Sequence, residues 1–150
     1  MVTVGAGSAG AVVANRLSEN SDFQVLLLEA GGDETRFTDT PAFSLSLIGT
    51  EIDWNYTVDS SSKYCLGARG KTCIYPRGKI LGGSSAMNGM TYVRGNKRDY
   101  DEWAEMGNYG WSFEDVLPYF KKSEDNRNLT FPKDKRFHST NGELTVFRYI

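Results

Sequence analysis

The first thirty residues alternate between apolar segments and short polar breaks. Val2–Val4 predicts a short strand, and Ser8–Ser18 carries apolar residues at the spacing of one helical face. Residues 23–28 form a nearly continuous apolar run bounded by turn-forming residues, which is typical of a parallel strand buried on both faces. The pattern therefore predicts a βαβ unit over residues 1–32.

The pattern is weaker in the middle of the chain and becomes clear again near residue 98. Between residues 33 and 74 only residues 54–58 favour a strand. Residues 98–106 predict a helix that Gly107 ends, because glycine adopts the backbone conformation that commonly follows a helix. A further helix is expected beyond this point.

The start of that further helix is set by two opposing signals. Ser112 and Asp115 have capping-box spacing, but Pro118 lacks the N–H that a helix interior requires. We therefore predict a short turn after Ser112 and a helix that begins near Pro118. Residues 132–141 are predicted as a loop and residues 142–150 as a strand in progress. This strand and the short strand at the start lead us to expect a part of a longer protein.

Composition and charge exclude several classes of protein. The 150 residues carry 17 Lys plus Arg and 19 Asp plus Glu, a net charge of -2, so no basic excess favours nucleic-acid binding. No run approaches the roughly 20 apolar residues of a membrane span. Aromatic residues make up 13%, which is too much apolar surface for a disordered chain. No His, Cys, Asp or Glu cluster has metal-ligand spacing, so no metal is expected.

The first candidate site lies between the first predicted strand and helix. Gly5-Ala6-Gly7-Ser8-Ala9-Gly10 fits the GxGxxG pattern of a dinucleotide-binding, Rossmann-like α/β unit. Gly5 permits the tight turn, Gly7 lets the backbone approach a pyrophosphate, and Gly10 lets the helix pack closely on the strand. The helix N-terminus, beginning at Ser8, offers N–H groups and a positive dipole end to the phosphates.

Glu29 supports the dinucleotide interpretation of this loop. It ends the second predicted strand 19 positions after Gly10, close to the spacing expected of a ribose ligand. A carboxylate there accepts hydrogen bonds from the two ribose hydroxyls and repels a 2′-phosphate, which disfavours NADP. FAD and NAD both remain open on these residues.

A second glycine-rich segment favours FAD. Residues 77–92 contain two adjacent glycines followed by two hydroxyls and then an Asn-Gly pair, which makes a poor helix and a poor strand. Gly83 and Ser84 can present donors to a phosphate, as an anion-binding nest does. Asn88 can donate and accept, which suits the mixed edge of a flavin ring. An NAD-linked dehydrogenase would leave this segment without a purpose.

These motifs resemble the N-terminal part of the GMC (glucose–methanol–choline) flavoprotein oxidoreductases. The resemblance covers essentially all 150 residues. It is carried by the first loop with Glu29-Ala30-Gly31-Gly32, by Pro76-Arg77-Gly78-Lys79-Ile80-Leu81-Gly82-Gly83-Ser84-Ser85 and its continuation to Gly95, and by Asp99-Tyr100-Asp101-Glu102-Trp103 with Gly110-Trp111-Ser112.

The resemblance implies an FAD-dependent oxidoreductase that passes hydride from the CH–OH group of an alcohol or sugar to the flavin, with a quinone or oxygen as acceptor. It implies an incomplete FAD/NAD(P)-binding Rossmann-like βαβ domain, with its cofactor loop at residues 76–95, and the start of an α+β substrate domain. The catalytic base lies in a C-terminal region that this chain does not carry, so no catalytic residue is assigned here. The implied cofactor-binding residues are Gly5, Gly7, Ser8, Gly10, Glu29, Gly83, Ser84, Asn88, Gly89, Met90 and Thr91.

Two other functions remain open at this stage. A non-catalytic family member would keep FAD for structure or binding, and an NAD-linked dehydrogenase would use only the first loop. His138, the one histidine, is interpreted as a structural or solvated loop residue. The aromatic residues Trp103, Trp111, Tyr119 and Phe120 are interpreted as core packing, and carboxylate pairs such as Asp101 with Glu102 as solvated helix faces or caps.

Cysteines and sequons bear on the compartment. Cys65 and Cys73 with glycines between them suit a hairpin closed by a disulfide, although two free thiols remain an alternative. A pair in this position is similar to the insect glucose dehydrogenase branch of the family. Asn55-Tyr56-Thr57 and Asn128-Leu129-Thr130 fit the glycosylation pattern. Together these features favour a secreted or extracellular protein.

Overall fold

The computed structural model describes residues 1–128 and 134–148. The chain divides into two compact units, Met1–Thr91 and Tyr92–Ile150. The helices and strands are, in chain order, β1 (Val2–Val4), α1 (Ser8–Ser18), β2 (Leu26–Leu28), β3 (Tyr56–Thr57), β4 (Ile74–Tyr75), α2 (Lys97–Glu105), α3 (Phe113–Ser123), β5 (Glu124–Asn126) and β6 (Leu144–Val146). Short 3₁₀ helices occupy Pro41–Leu47, Arg69–Lys71 and Gly83–Ala86.

The first unit opens with the strand–helix–strand arrangement that the apolar pattern predicts. Strands β1 and β2 are parallel, with Val2 opposite Leu26 and Val4 opposite Leu28. Helix α1 has the predicted bounds and makes the crossover between them. The two strands therefore present their carboxyl ends, and the loop that follows β1, at the same edge.

The second glycine-rich segment runs alongside this βαβ arrangement. Gly82 forms a parallel bridge with Gly7, and Ile80 forms one with Gly32. Ile80 is fully buried, and the small apolar core of this unit is completed by Ala6, Leu47 and Met87. Burial of these apolar side chains holds the second segment against the first loop.

A disulfide-closed hairpin leads from the core to the second segment. Strands β3 and β4 pair antiparallel, with Tyr56 opposite Tyr75. Cys65 and Cys73 are joined by a disulfide with a Cα–Cα distance of 5.7 Å, which excludes the free-thiol alternative. The predicted strand at residues 54–58 is thus shorter than expected but is present.

The second predicted strand differs from its expectation in length and burial. Only Leu26–Leu28 is strand, and Leu26 and Leu28 are 54% and 45% exposed. The prediction that residues 23–28 are buried on both faces is therefore wrong for this chain. The physical reason is that, among the described residues, β2 pairs only with β1, and α1 covers only part of the sheet.

The second unit consists of two capped helices and a short parallel strand pair. Asn96 and Asp99 form a capping box at α2, and Ser112 and Asp115 form one at α3. Tyr100 of α2 contacts Phe120 of α3 edge to face, with ring centroids 5.6 Å apart. Strands β5 and β6 are parallel.

Helix α3 begins five residues before Pro118, and not near it as the sequence predicts. The helix is continuous over Phe113–Ser123 with Pro118 inside it, so the predicted turn followed by a new helix is wrong. Pro118 removes one N–H donor, but the capping box secures the first turn and the Phe120 ring packs on Tyr100. These contacts offset the missing hydrogen bond.

The aromatic residues of the second unit are less buried than the sequence suggests. Trp103, Trp111 and Tyr119 are 47%, 53% and 72% exposed, so their assignment to core packing is wrong for this chain. Trp103 and Trp111 contact each other edge to face with ring centroids 5.9 Å apart, and the pair covers part of each ring. Of the four aromatic residues assigned to core packing, Phe120 alone is half-buried.

The predicted loop and terminal strand lie partly outside the described residues. Residues 134–139 form turns and loop, as expected, and Leu144–Val146 is the described part of the terminal strand. Residues 132–133 of the predicted loop and residues 149–150 of the predicted strand fall outside the described residues. The same holds for two of the three residues of the sequon that begins at Asn128, whose glycosylation stays a prediction.

Candidate functional site

The loop between β1 and α1 adopts the conformation that its glycines predict. Gly5 has a φ of +90°, in the left-handed region, and its N–H donates to the Leu28 carbonyl at 2.7 Å. A Cβ at Gly10 would lie 1.8 Å from the Gly5 carbonyl oxygen. The helix therefore packs on the loop at a distance that only glycine permits at position 10.

The N-cap residue of α1 has no side chain that could accept a hydrogen bond from the N–H groups of the first turn. Gly7 is the N-cap, in extended conformation, with no side-chain capping hydrogen bond and no acidic residue in the first turn. The first-turn N–H groups of a helix point outward and carry the positive end of its dipole. This end of α1 is therefore suited to an anionic group.

Glu29 links the first loop to the end of β2. One carboxylate oxygen accepts the Ala6 N–H at 2.7 Å, and the other accepts the Gly31 N–H at 2.9 Å. The pKa of Glu29 lies below its ordinary value. The main cause is the hydrogen bond from Gly31, and the one from Ala6 adds to it, whereas burial opposes the shift. The group is therefore ionised at neutral pH. Each oxygen keeps a second acceptor site for a hydroxyl donor.

The second glycine-rich segment touches the first loop through backbone atoms. The Gly82 N–H donates to the Ala6 carbonyl at 2.9 Å. Gly83 has a φ of +54°, and a Cβ there would lie 2.7 Å from the Gly7 Cα. Glycine at position 83 is therefore required by both its backbone conformation and its close approach to the first loop.

Ser84 is held in place from within its own segment. Its Oγ accepts the Gly78 N–H at 3.1 Å, which leaves the hydroxyl hydrogen available for another acceptor. A Cβ at Gly78 would lie 2.2 Å from the Gly83 carbonyl oxygen, so this turn also depends on glycine.

The two glycine loops border one cavity. Its volume of about 600 Å³ is within the roughly 300–1,000 Å³ range of small-molecule and cofactor sites. The first unit alone supplies its lining, which consists of Val4, Gly5, Gly7, Leu28, Glu29, Ala30, Trp54, Tyr56, Arg77, Gly78, Gly83 and Ser84. Five predicted cofactor residues are among them: Gly5, Gly7, Glu29, Gly83 and Ser84. We call this space the first cavity.

Other predicted residues border a second cavity in the same unit. Asn88 and Met90 line a space of about 430 Å³ together with Leu81, Gly82 and Ser85. The Asn88 Oδ1 accepts the Met90 N–H at 2.7 Å, which leaves the Asn88 amide N–H groups for other acceptors. The predicted residues Ser8, Gly10, Gly89 and Thr91 line neither cavity.

Asp53 is an organising residue that sequence reasoning missed. It is 5% exposed and accepts N–H groups from Gly49 at 2.9 Å and from Asn55 and Arg77 at 3.0 Å each. The pKa of Asp53 lies below its ordinary range. The hydrogen bond from the Gly49 N–H is the largest cause, and those from Arg77 and Asn55 add to it. Arg77 is 24 positions away, so no local pattern could indicate this contact.

Trp54 and Tyr56 form an aromatic side of the first cavity that the sequence analysis assigned only to a strand. Their rings are parallel within 7°, with centroids 5.7 Å apart. The Trp54 N–H donates to the Arg77 carbonyl at 2.9 Å, which fixes the backbone beside the second segment. Asn55, between them, has a φ of +53°, so this left-handed residue and not the alternation of an extended strand brings the two rings together.

His138 lies in the second unit and has a structural environment. Its Nδ1 lies 2.9 Å from Glu124 Oε1. Glu124 is 1% exposed, is paired with Arg94 at 2.7 Å, and accepts the Ser139 N–H at 3.0 Å. Arg94 also donates to the Phe137 carbonyl at 2.5 Å. These contacts hold the loop before β6 against the start of β5.

Two classes of feature are absent from the part of the chain that the structure describes. None of its helices has the length and apolar character needed to cross a membrane. Over the same residues, no group of three or more His, Cys, Asp or Glu side chains is arranged to hold a metal ion.

Two named dehydrogenases are similar in sequence to this chain. Glucose dehydrogenase [FAD, quinone] of Drosophila pseudoobscura pseudoobscura is 49% identical over 148 residues, which is 99% of this chain and 24% of that protein. Oxygen-dependent choline dehydrogenase of Vibrio vulnificus is 48% identical over 126 residues, 83% of this chain and 22% of that protein. The chain thus spans about a quarter of the length of the relatives it matches.

A solved structure and a family pattern agree with these relatives. The crystal structure of pyridoxine 4-oxidase from Mesorbium loti superposes with a TM-score of 0.82 at 35% identity, covering 96% of this chain and 27% of that one. The family pattern described as GMC oxidoreductase matches residues 1–148. Together with the paired glycine loops, these matches show that the chain belongs to the GMC oxidoreductase family.

Proposed function

We propose that this chain is the FAD-binding part of an FAD-dependent oxidoreductase that oxidises the CH–OH group of an alcohol or sugar. The observation that carries the proposal is the contact between the two glycine loops at Gly7 and Gly83, which brings the start of α1, the Ser84 hydroxyl and the Glu29 carboxylate to one cavity. Relatives named as glucose and choline dehydrogenases support the class of reaction.

The residues of the first cavity fit the ADP half of FAD. Gly7 and the N-terminus of α1 would receive the phosphates, since their N–H groups and the helix dipole favour anions. Gly5 would act by shaping the turn, because its N–H already donates to the Leu28 carbonyl. The ionised Glu29 would accept the ribose hydroxyls. Ser84 would add its hydroxyl hydrogen to the pyrophosphate, and Gly83 would permit the close approach of the two loops, because its own N–H already donates to the Ile80 carbonyl.

Other predicted residues have supporting roles in this proposal. Gly10 would act through close packing of α1, and Ser8 through its place in the first helical turn. The flavin half would lie towards Asn88, Gly89, Met90 and Thr91, with the Asn88 amide hydrogens available to a flavin carbonyl oxygen. FAD supplies the hydride-accepting chemistry when bound, whereas the residues of this chain bind and orient it.

The other parts of such an enzyme would lie outside these 150 residues. The substrate domain and the base that takes the hydroxyl proton would belong to the further sequence that the relatives contain, since the chain matches about a quarter of their length. The electron acceptor would be a quinone or oxygen. The Cys65–Cys73 disulfide supports an oxidising, extracellular compartment.

The test is the visible absorption spectrum of the native protein during anaerobic addition of glucose and of other alcohols. Flavin bands that bleach with one of them, and return with a quinone or with oxygen, would support the proposal and identify substrate and acceptor. Flavin that no alcohol reduces would indicate a non-catalytic family member. A colourless protein that binds NAD would contradict the proposal.

A further inference from the structure

The disulfide-closed connection between β3 and β4 carries cations that no contact described so far uses. Residues 60–91 contain five Lys or Arg residues and no Asp or Glu, although the whole chain has a net charge of -2. Arg77 lines the first cavity, and the Lys79 ammonium lies over an aromatic ring. The other three cations, which we call the basic cluster, belong to the β3–β4 connection: Lys63, Arg69 and Lys71.

The side chains of the basic cluster are free to meet a partner. All three residues are exposed. Among the described residues, none of them lies within ion-pair distance of a carboxylate, whereas the exposed Arg98 and Arg136 are paired with Glu102 and Asp134. Cations without nearby carboxylates produce a local positive potential that attracts anionic partners.

The backbone of this connection is held before any partner binds. The disulfide joins Cys65 to Cys73 with a Cα–Cα distance of 5.7 Å. The Ala68 N–H donates to the Cys65 carbonyl at 3.0 Å, and the Lys71 N–H donates to the Ala68 carbonyl at 2.9 Å. Because an extended chain advances at most about 3.6 Å per residue, the disulfide keeps the Cα atoms of Lys63 and Lys71 within about 20 Å of each other.

Exposed apolar side chains accompany these cations. Tyr64 and Leu66 flank the first cysteine of the disulfide and are 48% and 56% exposed. A tyrosine ring presents an apolar face with a polar tip, which suits the C–H face of a sugar ring beside its polar groups. The surface therefore fits a partner that carries both anionic groups and apolar ring faces.

The compartment favours one class of such partners. The disulfide supports an oxidising compartment outside the cytosol, and the strongly anionic leaflet of a cell membrane faces the cytoplasm. Clusters of Lys and Arg are typical of heparin-binding patches. We propose that the basic cluster, with Tyr64 beside it, is a docking site for a sulfated polysaccharide. This inference rests on the extracellular compartment proposed above and not on the proposed reaction.

The test is binding of the native protein to immobilised heparin over a range of salt concentrations. Lys63→Gln, Arg69→Gln and Lys71→Gln together should weaken binding about 10- to 100-fold and make it less dependent on salt, because fewer counterions are released. The matched variant removes three exposed cations elsewhere and should stay within about threefold of the wild type: Arg36→Gln with Lys122→Gln and Lys135→Gln. Equal losses in the two triple variants would overturn the inference, since net charge alone would then explain binding.

Opening the disulfide tests whether the loop conformation contributes beyond its charges. Cys65→Ser with Cys73→Ser keeps all three cations but releases the loop, so ordering it on binding costs free energy. Heparin binding should weaken at least about threefold. Unchanged binding in this variant would contradict a preformed site.

Other probes decide between classes of partner. Heparin freed of its sulfate groups, and neutral dextran, should bind the wild type at least about tenfold more weakly than heparin does. Vesicles of phosphatidylserine and phosphatidylcholine in equal parts, or duplex DNA, that bind as tightly as heparin and are lost in the basic-cluster variant would overturn the choice of a polysaccharide. The FAD content of this variant should equal that of the wild type, since the cluster lines neither cavity. Failure of this inference is therefore distinguishable from failure of the proposed function.

Discussion

The two units place their polar groups in opposite ways. In Met1–Thr91 the close contact of Gly7 with Gly83 leaves the start of α1 and the Ser84 hydroxyl bordering a cavity, where they can donate to a ligand. Among the described residues of Tyr92–Ile150 the most buried polar side chain is Glu124, and its partners Arg94 and His138 lie within the same unit.

This difference bears on which substitutions should change ligand binding and which should change the stability of the fold. Backbone donors at the glycine loops can bind a ligand without a side chain that first has to be ordered, and only glycine permits that geometry. A buried carboxylate with a full set of partners has no capacity for a ligand, and removing it leaves charges unpaired. We therefore expect a substitution at Gly7 to change cofactor affinity and one at Glu124 to change stability.

The largest expected loss of stability is at Glu124. Glu124→Ala leaves the Arg94 guanidinium, 13% exposed, without its carboxylate partner and should lower the free energy of unfolding by about 3–5 kcal/mol. Urea unfolding of the native protein measures this. FAD affinity should change by less than about twofold, since the Glu124 side chain makes its hydrogen bonds to Arg94, His138 and Ser139 of its own unit.

An exposed ion pair supplies the control for Glu124. The Arg98–Glu102 pair, on the surface of α2, has side chains 84% and 46% exposed. Glu102→Ala should change unfolding by no more than about 0.5 kcal/mol. Equal losses in the two variants would show that the buried cluster is not the stabilising feature of its unit.

Within the first unit, the disulfide should make the next largest contribution. Replacing both cysteines, Cys65→Ser with Cys73→Ser, should lower the free energy of unfolding by about 2–3 kcal/mol, because the unfolded chain gains freedom when this short loop is opened. Urea unfolding with and without dithiothreitol measures this. The reductant should destabilise the wild type and have no effect on the double variant; a wild type that is insensitive to it would contradict the prediction.

A smaller effect is expected from acid at Asp53. Its folded pKa lies below the ordinary 3.8, so its stabilisation is complete above that value and is lost as the pH falls through the folded pKa. The urea midpoint of the wild type should therefore fall more steeply below about pH 4 than that of Asp53→Asn.

Asp59 provides the comparison for this acid effect. It is an exposed aspartate in the same unit, and Asp59→Asn keeps the Asp53 contacts. The Asp59→Asn variant should follow the wild-type pH profile. Parallel profiles for the wild type and Asp53→Asn would contradict a stabilising role of the Asp53 carboxylate.

The sequence predicts local features of this molecule well. The first βαβ arrangement, the tight turn at Gly5 and the close packing at Gly10 follow from residues within one motif. The capping-box spacing of Ser112 and Asp115 is local in the same way, although the helix start near Pro118 was predicted wrongly. The capping box of α2 is equally local but was not predicted. Each depends on backbone conformation or on contacts between neighbours, which sequence spacing encodes.

Features that depend on distant contacts could not be predicted in this way. Asp53 joins Arg77 across 24 positions, and Glu124 joins Arg94 across 30. The continuous helix through Pro118 is also decided by packing, since Phe120 contacts Tyr100 of α2. Strand propensity at Trp54 and Tyr56 indicates an extended segment, but it does not indicate the cavity that this segment borders.

The central claim is that glycine at position 7 is needed for the ligand and not for the fold. Gly7 has a φ of -74°, which alanine adopts readily, and a Cβ there would meet only the Gly83 Cα at 3.8 Å. At Gly10 the Cβ would overlap a carbonyl oxygen. Gly67, where a Cβ would meet nothing within 4 Å, is a neutral control outside both cavities.

The most direct measurement is FAD affinity beside urea unfolding for Gly7→Ala, Gly10→Ala and Gly67→Ala in the native protein. We predict that Gly7→Ala unfolds within about 1 kcal/mol of the wild type but binds FAD at least about tenfold more weakly, because its methyl group occupies the approach of the pyrophosphate. Gly10→Ala should lose stability and affinity together, and Gly67→Ala should lose neither. Wild-type FAD affinity in Gly7→Ala would contradict the account.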